Sequence, residues 1–472
     1  MKKTLLKLLS LSLVLLMLVG SLSSCMKAAL AVLGEENDAR LLLYSLQTAG
    51  GKSYTITTES KLTVTVGKTT NSVTSAGEFT EYKIGSKDYR YHMDMTTETV
   101  LGGKYTKMET LKGFQNGRMY SGYDQAADSG YVFSEISRKD YEEHMEEMDM
   151  RTTFSFDINK DNCSEITCVK NDDKTRTATF SGFTSSGLEQ FFELMDIAPD
   201  TFGDGMEIED ICMTLTVDKK LRPETLRLDL IFDVSDEFEG TDPTMYLEMS
   251  FDLDDVEAPA DMDFSDYTEV EDLRLADRVE KQLKEMTDKE EGYFTTQINA
   301  KATAASQTQN ENTLYTGSYT NEDGSYTHEI KVTDKNKLYR VGTISYKDGK
   351  QEAGGMAASM EKSMTDASAK AFLGSLLNPS NFNAASVSRI TPVEGEEGVY
   401  LITLADPKSN HSVASSLGMD VTSSLETLKV TIKDGELVAC EHYLFIRGTI
   451  AKVSISYTVT TTSTYLDEPA EN

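Results

Sequence analysis

Five histidines, His92, His144, His328, His411 and His442, are the first residues to weigh for chemistry. An imidazole serves as metal ligand or general base when a partner stands at fixed spacing, as in two histidines one helical turn apart. None of the five has such a neighbour. No Gly-x-Ser-x-Gly elbow exposes a serine, and no glycine-rich loop of either phosphate-binding type is present. Asp157-x-Asn159-x-Asp161 opens like a calcium loop, but Asn162 stands where the turn needs glycine and Cys168 where a bidentate glutamate belongs. The acidic runs 142–150 and 254–272 read as solvated faces. No catalytic, cofactor-binding or metal-binding residue emerges, and the expectation is a protein that is not an enzyme.

One residue does have a chemical setting. Lys2, Lys3 and Lys7 precede an almost wholly apolar stretch from Leu8 to Leu22, which ends at Ser23, Ser24 and Cys25. A basic start, an apolar run and small residues make a secretory signal, whereas a spanning helix needs about 20 apolar residues. Leu22-Ser23-Ser24-Cys25 resembles the lipobox of bacterial lipoproteins. The resemblance implies cleavage before Cys25 and a diacylglycerol on its sulfur, with palmitate-type acyl chains as the anchor. Residues 1–24 would then be signal peptide and 25–37 a lipidated tether. The protein is expected at the cell membrane, lipid-anchored on the extracytoplasmic face.

The balance of 46 Lys plus Arg against 78 Asp plus Glu, a net charge of −32, argues against a nucleic-acid partner. Cys163, Cys168, Cys212 and Cys440 show no zinc spacing. Cys163–Cys168 could close a small loop, or all four could pack as small apolar groups in strands.

Positioning elements come from a repeat. "TVDKKLRPETLRLDLIF" (216–232) matches "TIKDGELVACEHYLFI" (431–446), and "EITCVKNDDKTRTATFSGF" (165–183) echoes "RITPVEGEEGVYLITLADP" (389–407). Residues 38–62 and 276–302 both read as helix, polar break and strand. Period-two alternation marks antiparallel strands: Ile56, Leu62, Val64 and Val66; Leu226, Leu228, Leu230, Phe232 and Val234; Met245, Leu247, Met249, Phe251 and Leu253; and Val453, Ile455, Tyr457 and Val459. The dry faces then call for helical cover from the opening helix, from 140–148 and from 360–377. The fold class expected is α+β: two tandem curved antiparallel sheets, half-barrels, each covered by a few helices. The domains are 38–260 and 276–466, joined by an acidic linker at 261–275 and followed by a tail at 467–472.

A leading helix, a long strand meander, a mid-domain helix and a closing hairpin at Lys219-Lys220 or Asp434-Gly435 resemble the LolA/LolB lipoprotein-carrier fold, once per half. That resemblance implies an apolar cavity between sheet and helices that holds acyl chains. Met356, Met360 and Met364 recur every four residues and are expected on one face of a helix, as a lid beside Gly354-Gly355 or as ordinary core. The function expected is binding of a lipid or lipid-linked ligand. The alternative is a docking or envelope-sensor module with a filled core and an envelope protein as partner.

Overall fold

In the computed structural model, the structure describes residues 39, 42, 43, 46, 53–125, 128–148, 158, 160–185, 187–188, 206–234, 241–254, 256–304, 307–322, 325–335, 341–354, 360–363, 366–378, 382–404, 419–450, 453–466 and 468. Two compact units emerge: one of residues up to Ser121 plus Glu135–Ser265, the other of Gly122–Ser134 plus the chain from Asp266 onward.

The first sheet opens with a six-strand meander: β1 (Tyr54–Val66), β2 (Thr69–Tyr82), β3 (Arg90–Leu101), β4 (Lys104–Gln115), β5 (Arg118–Gln125) and β6 (Asp128–Glu135). Helix α1 (Arg138–Glu147) follows, then β7 (Cys163–Lys170), β8 (Arg176–Phe183), β9 (Met206–Val217), β10 (Pro223–Val234) and β11 (Thr241–Asp252). Strand β11 returns beside β1, giving the order β6-β5-β4-β3-β2-β1-β11-β10-β9-β8-β7, with the two-residue β12 (Thr268–Glu269) beside β6.

The second sheet, after α2 (Arg274–Lys284), repeats that plan. Its six are β13 (Glu291–Ala304), β14 (Gln307–Glu322), β15 (Ser325–Asp334), β16 (Val341–Lys347), β17 (Lys350–Gly354) and β18 (Met360–Ser363). After helix α3 (Asp366–Leu377) come β19 (Val387–Pro392), β20 (Val399–Leu404), β21 (Asp420–Lys433), β22 (Glu436–Ile450) and β23 (Val453–Leu466). The order is β18-β17-β16-β15-β14-β13-β23-β22-β21-β20-β19. Each sheet is therefore six strands, a helix and five strands. The matched sequence segments fall on equivalent hairpins, β9–β10 with β21–β22 and β7–β8 with β19–β20.

Alternation builds the dry faces. Leu226, Leu228 and Leu230 stand opposite Leu215, Met213 and Ile211 on one side and Met249, Leu247 and Met245 on the other, and all nine are buried. Side chains facing directly across neighbouring strands are the unit of sheet stabilisation. Register is fixed at the turns, as where Asp434 (φ 53°) and Gly435 (φ 88°) join Lys433 to Glu436. Positive φ at both central residues matches the strand twist, and a side chain larger than Asn or Asp resists it. Ala39, Leu42, Leu43 and Leu46 are helical and buried, at the spacing of one helix face.

The expected α+β class does not hold: the protein is mostly β. Among the described residues three α-helices have described bounds, of 10, 11 and 12 residues, and a few further residues (39, 42, 43, 46, 185, 187 and 188) are helical. They stand beside 23 strands, so that strand dominates, in sheets of twelve and eleven strands. The physical reason shows in the second sheet. Beyond Thr296 in β13, and before Thr461 in β23, no residue is buried. The alternating apolar residues of β23 are at most half-buried there, and Ile455 and Tyr457 pack against Met419 and Ile446 of the same sheet region rather than under a helix. Val453, expected on a dry face, is 43% exposed. The helix expected over 360–377 starts only at Asp366. Residues 360–363 pair instead with 350–353 as an edge strand.

Candidate functional site

The space between sheet and helix in the first unit is filled by rings. Ser137 caps α1, its hydroxyl accepting from the Asp140 amide at 3.1 Å. The helix then buries Tyr141, His144 and Met145. The Tyr141 ring stacks on Phe114 with centroids 4.5 Å apart and lies about 6 Å from Tyr89 and Tyr91. Phe79 continues the cluster to Tyr91 and Tyr54, at 5.2 and 5.7 Å. Within it Glu81 accepts hydrogen bonds from the Tyr54 and Tyr89 hydroxyls. Burial, reinforced by Glu81, holds the Tyr54 phenol well above its ordinary pKa.

The second unit is closed in the same way. His328, 3% exposed, lies between Tyr346 and Tyr326 of the sheet and Phe372 of α3, with ring centroids 5.7–5.9 Å away. Neither ring nitrogen has a hydrogen-bond partner, and burial lowers the imidazole pKa to about 4. Asp366 anchors the start of α3, accepting from the Tyr326 amide at 3.2 Å and from the Tyr346 hydroxyl.

The open space lies outside. Residues 256–262 form a strap across the outer face of the first sheet. The Arg90 guanidinium donates to the Pro259 carbonyl (2.7 Å) and pairs with Asp261 (2.8 Å). The Gln115 amide donates to the Ala260 carbonyl (2.9 Å) and accepts from the Met262 amide (2.7 Å). Beside the strap is a cleft of about 670 Å³, within the range of small-molecule sites. Thr55, Glu78, Thr80, His92, Asp94, Asp252 and Glu257 supply its polar groups. His92 Nδ1 lies 2.9 Å from the Tyr120 hydroxyl, and Nε2 is 3.8 Å from Asp94. A hydrogen bond from His92, opposed by partial burial, keeps the Asp94 carboxyl below the usual range. The chemistry on offer is recognition of positive charge and hydrogen-bond donors, on a face the alternation had marked only as wet.

Met360 opens β18 on a strand and does not ride a helix. Met356, Met364, Leu22, Ser23, Ser24 and Cys25 lie outside the described residues, as do His411, Asp157 and Asn159. None of Cys163, Cys168, Cys212 and Cys440 is joined in a disulfide. Cys163 and Cys168, five positions apart on one strand, project to opposite faces and cannot join. His442 pairs with Glu426 at 2.7 Å, a structural contact on neighbouring strands. Among the described residues no three His, Cys, Asp or Glu side chains are grouped to hold a metal ion. No described helix is long and apolar enough to cross a membrane. The strap was invisible in sequence, because 254–265 has no period and its anchors, Arg90 and Gln115, are more than 140 residues away.

No protein-family model and no curated protein matches the chain. Solved structures similar to it include a candidate AttH protein from Nitrosomonas europaea (7% identity, 86% of this chain and 92% of that one, TM-score 0.13). A DUF3598-family protein of unknown function from Nostoc punctiforme follows (7% identity, 86% and 95%, TM-score 0.15). A candidate outer membrane protein from Bacteroides fragilis is comparable (8% identity, 88% and 98%, TM-score 0.16). At such scores these similarities carry no functional weight.

Proposed function

We propose that the chain is an extracytoplasmic lipoprotein, held to the membrane by acyl chains on Cys25, that binds its target and does not transform it. The target docks on the outer face of the first unit, at the strap cleft, and is a cell-envelope protein presenting basic side chains. The observation that carries this reading is the ring packing between sheet and helix in each unit. Rings such as Tyr141 on Phe114, and Phe372 beside His328, occupy the place an acyl chain would need. Glu78, Asp94, Asp252 and Glu257 at the cleft give a complementary field for a basic partner. The repeated order of six strands, helix and five strands fits two copies of one unit joined in tandem.

The test pairs two probes with the full chain. A decalysine peptide stands in for a basic partner, and a fluorescent fatty acid for a lipid. Docking requires that Glu78→Gln with Asp94→Asn and Asp252→Asn weaken peptide binding at least tenfold. The pair Glu394→Gln and Glu396→Gln, on the other unit, should leave it within twofold. Equal loss from both sets would reduce the cleft to general surface charge. Saturable uptake of the fatty acid would restore lipid carriage instead.

A further inference from the structure

On the other side of the same strap the charge reverses. A second cleft, about 420 Å³, is lined by Lys83, Lys87, Arg90 and Arg138, with Asp88 its one acidic residue. A local charge of about +3 in a chain of net −32 runs against the composition, since like charges brought together repel unless something offsets them. Among the described residues internal pairing is loose for Lys83 and Arg138, close for Arg90 with Asp261, and absent for Lys87. Lys83 reaches Asp88 at 3.4 Å, Arg138 stands 3.8 Å from Glu142, and Lys87 has no ion pair or hydrogen bond among the described residues. Arg90 spends one side of its guanidinium on the strap. Lys83 holds φ at 54°, a left-handed conformation unfavourable for lysine, fixed by a hydrogen bond from its amide to the Ser53 hydroxyl at 2.9 Å.

The walls are aromatic as well as basic, with Tyr82, Tyr89 and Phe114 beside the cations. Arg138 is the first residue of α1, so the positive end of that helix adds to the field. Strand ends, a hairpin turn at Asn116-Gly117 and a helix start thus bring four cations to one concave site.

We propose that this cleft binds a phosphate-bearing anion, with Lys83, Lys87 and Arg138 contacting the phosphoryl oxygens and Arg90 linking the site to the strap. Guanidinium and ammonium donors to a phosphate are charge-assisted and short, and arginine offers two parallel donors. The phosphate belongs either to a free small molecule or to a lipid headgroup.

The full chain is titrated, at low and physiological salt, with inorganic phosphate and separately with dihexanoyl-phosphatidylglycerol below its micelle concentration, and phosphorus NMR reports binding. Saturable binding of inorganic phosphate supports the proposal with a free anion as ligand. Binding of the soluble lipid alone supports it with a headgroup as ligand. Either affinity should fall at least tenfold in Lys87→Glu/Arg138→Gln and stay within twofold in Lys301→Glu/Lys331→Glu, on the other unit. Binding of neither probe, or equal loss in both variants, overturns it. Since the phosphorus signal is read on the unaltered chain first, a variant that fails to fold does not leave the question open.

Discussion

Tyr141 of α1 lies nearly parallel to Phe114 of β4, with ring centroids 4.5 Å apart and 16° between planes. This pair fixes the helix to the sheet at the point where a carrier would keep its cavity. Offset aromatic stacking adds to the burial of both rings. Tyr141→Ala should therefore lower unfolding stability by about 3–5 kcal/mol, the range for a deleted buried aromatic. Urea denaturation checks it, and a loss under 1 kcal/mol would mean that α1 is held elsewhere.

The strap depends on Gln115, whose one side chain both donates and accepts across it. Gln115→Ala should free residues 256–262 while the sheet stays folded. Limited proteolysis followed by mass spectrometry should show faster cutting between Val256 and Phe264, with an unchanged thermal midpoint. Uniform digestion along the chain would instead mean that the strap supports the whole unit.

Gly113 leaves no room for a methyl group. A Cβ there would stand 2.2 Å from the Tyr120 hydroxyl and 2.5 Å from the Tyr91 carbonyl oxygen. The tyrosine can move, but the strand carbonyl cannot without breaking its ladder. Gly113→Ala should destabilise by about 1–3 kcal/mol, as overpacking does, and should pull Tyr120 from His92. Adding Tyr120→Phe should recover only part of the loss, because the Tyr91 carbonyl remains.

His328 sets an acid limit. Its folded pKa of about 4 lies below the unfolded value near 6.5. The unfolded chain therefore binds the proton more readily, and stability falls as pH drops from 6.5 through 4. Above 6.5 this contribution is fully present. The fall is at most about 3 kcal/mol, from 1.36 kcal/mol per pKa unit. Stability curves at pH 7.0 and 4.5 should converge in His328→Phe, which keeps a ring in the cage and removes the titrating nitrogens. An unchanged acid slope in that variant would show that carboxylates alone produce it.

Burial raises the Cys440 thiol to about 11, although the Tyr465 hydroxyl 3.4 Å away opposes the shift. At pH 8 roughly one molecule in a thousand carries the reactive thiolate. Iodoacetamide should leave Cys440 unmodified for hours in native protein and alkylate it promptly in urea. Equal rates in the two states would contradict its burial.

Much of the β architecture was legible because alternation is a direct record of which face is dry. Leu226, Leu228 and Leu230 declared their side from sequence, and the 216–232 and 431–446 match located equivalent hairpins. The helical share was overestimated because an apolar face was assumed to need a helix, whereas Leu444, Ile446, Ile455 and Tyr457 pack with Met419 and with one another on neighbouring strands of the second sheet. The methionine spacing misled for a different reason. A period of four fits a helix, yet at Met360 a free strand edge at 350–353 offered backbone pairing, and pairing prevailed. The two clefts could not be read at all. Their residues alternate with core positions on several strands, and the strap that borders them is aperiodic.

The most direct measurement is a native mass spectrum of residues 26–472, produced without the lipidated cysteine and purified without detergent. A filled interior gives the bare polypeptide mass, with no apolar adduct and none acquired after incubation with oleate. A stoichiometric acyl adduct that leaves on denaturation would contradict the packed core and return the protein to lipid carriage.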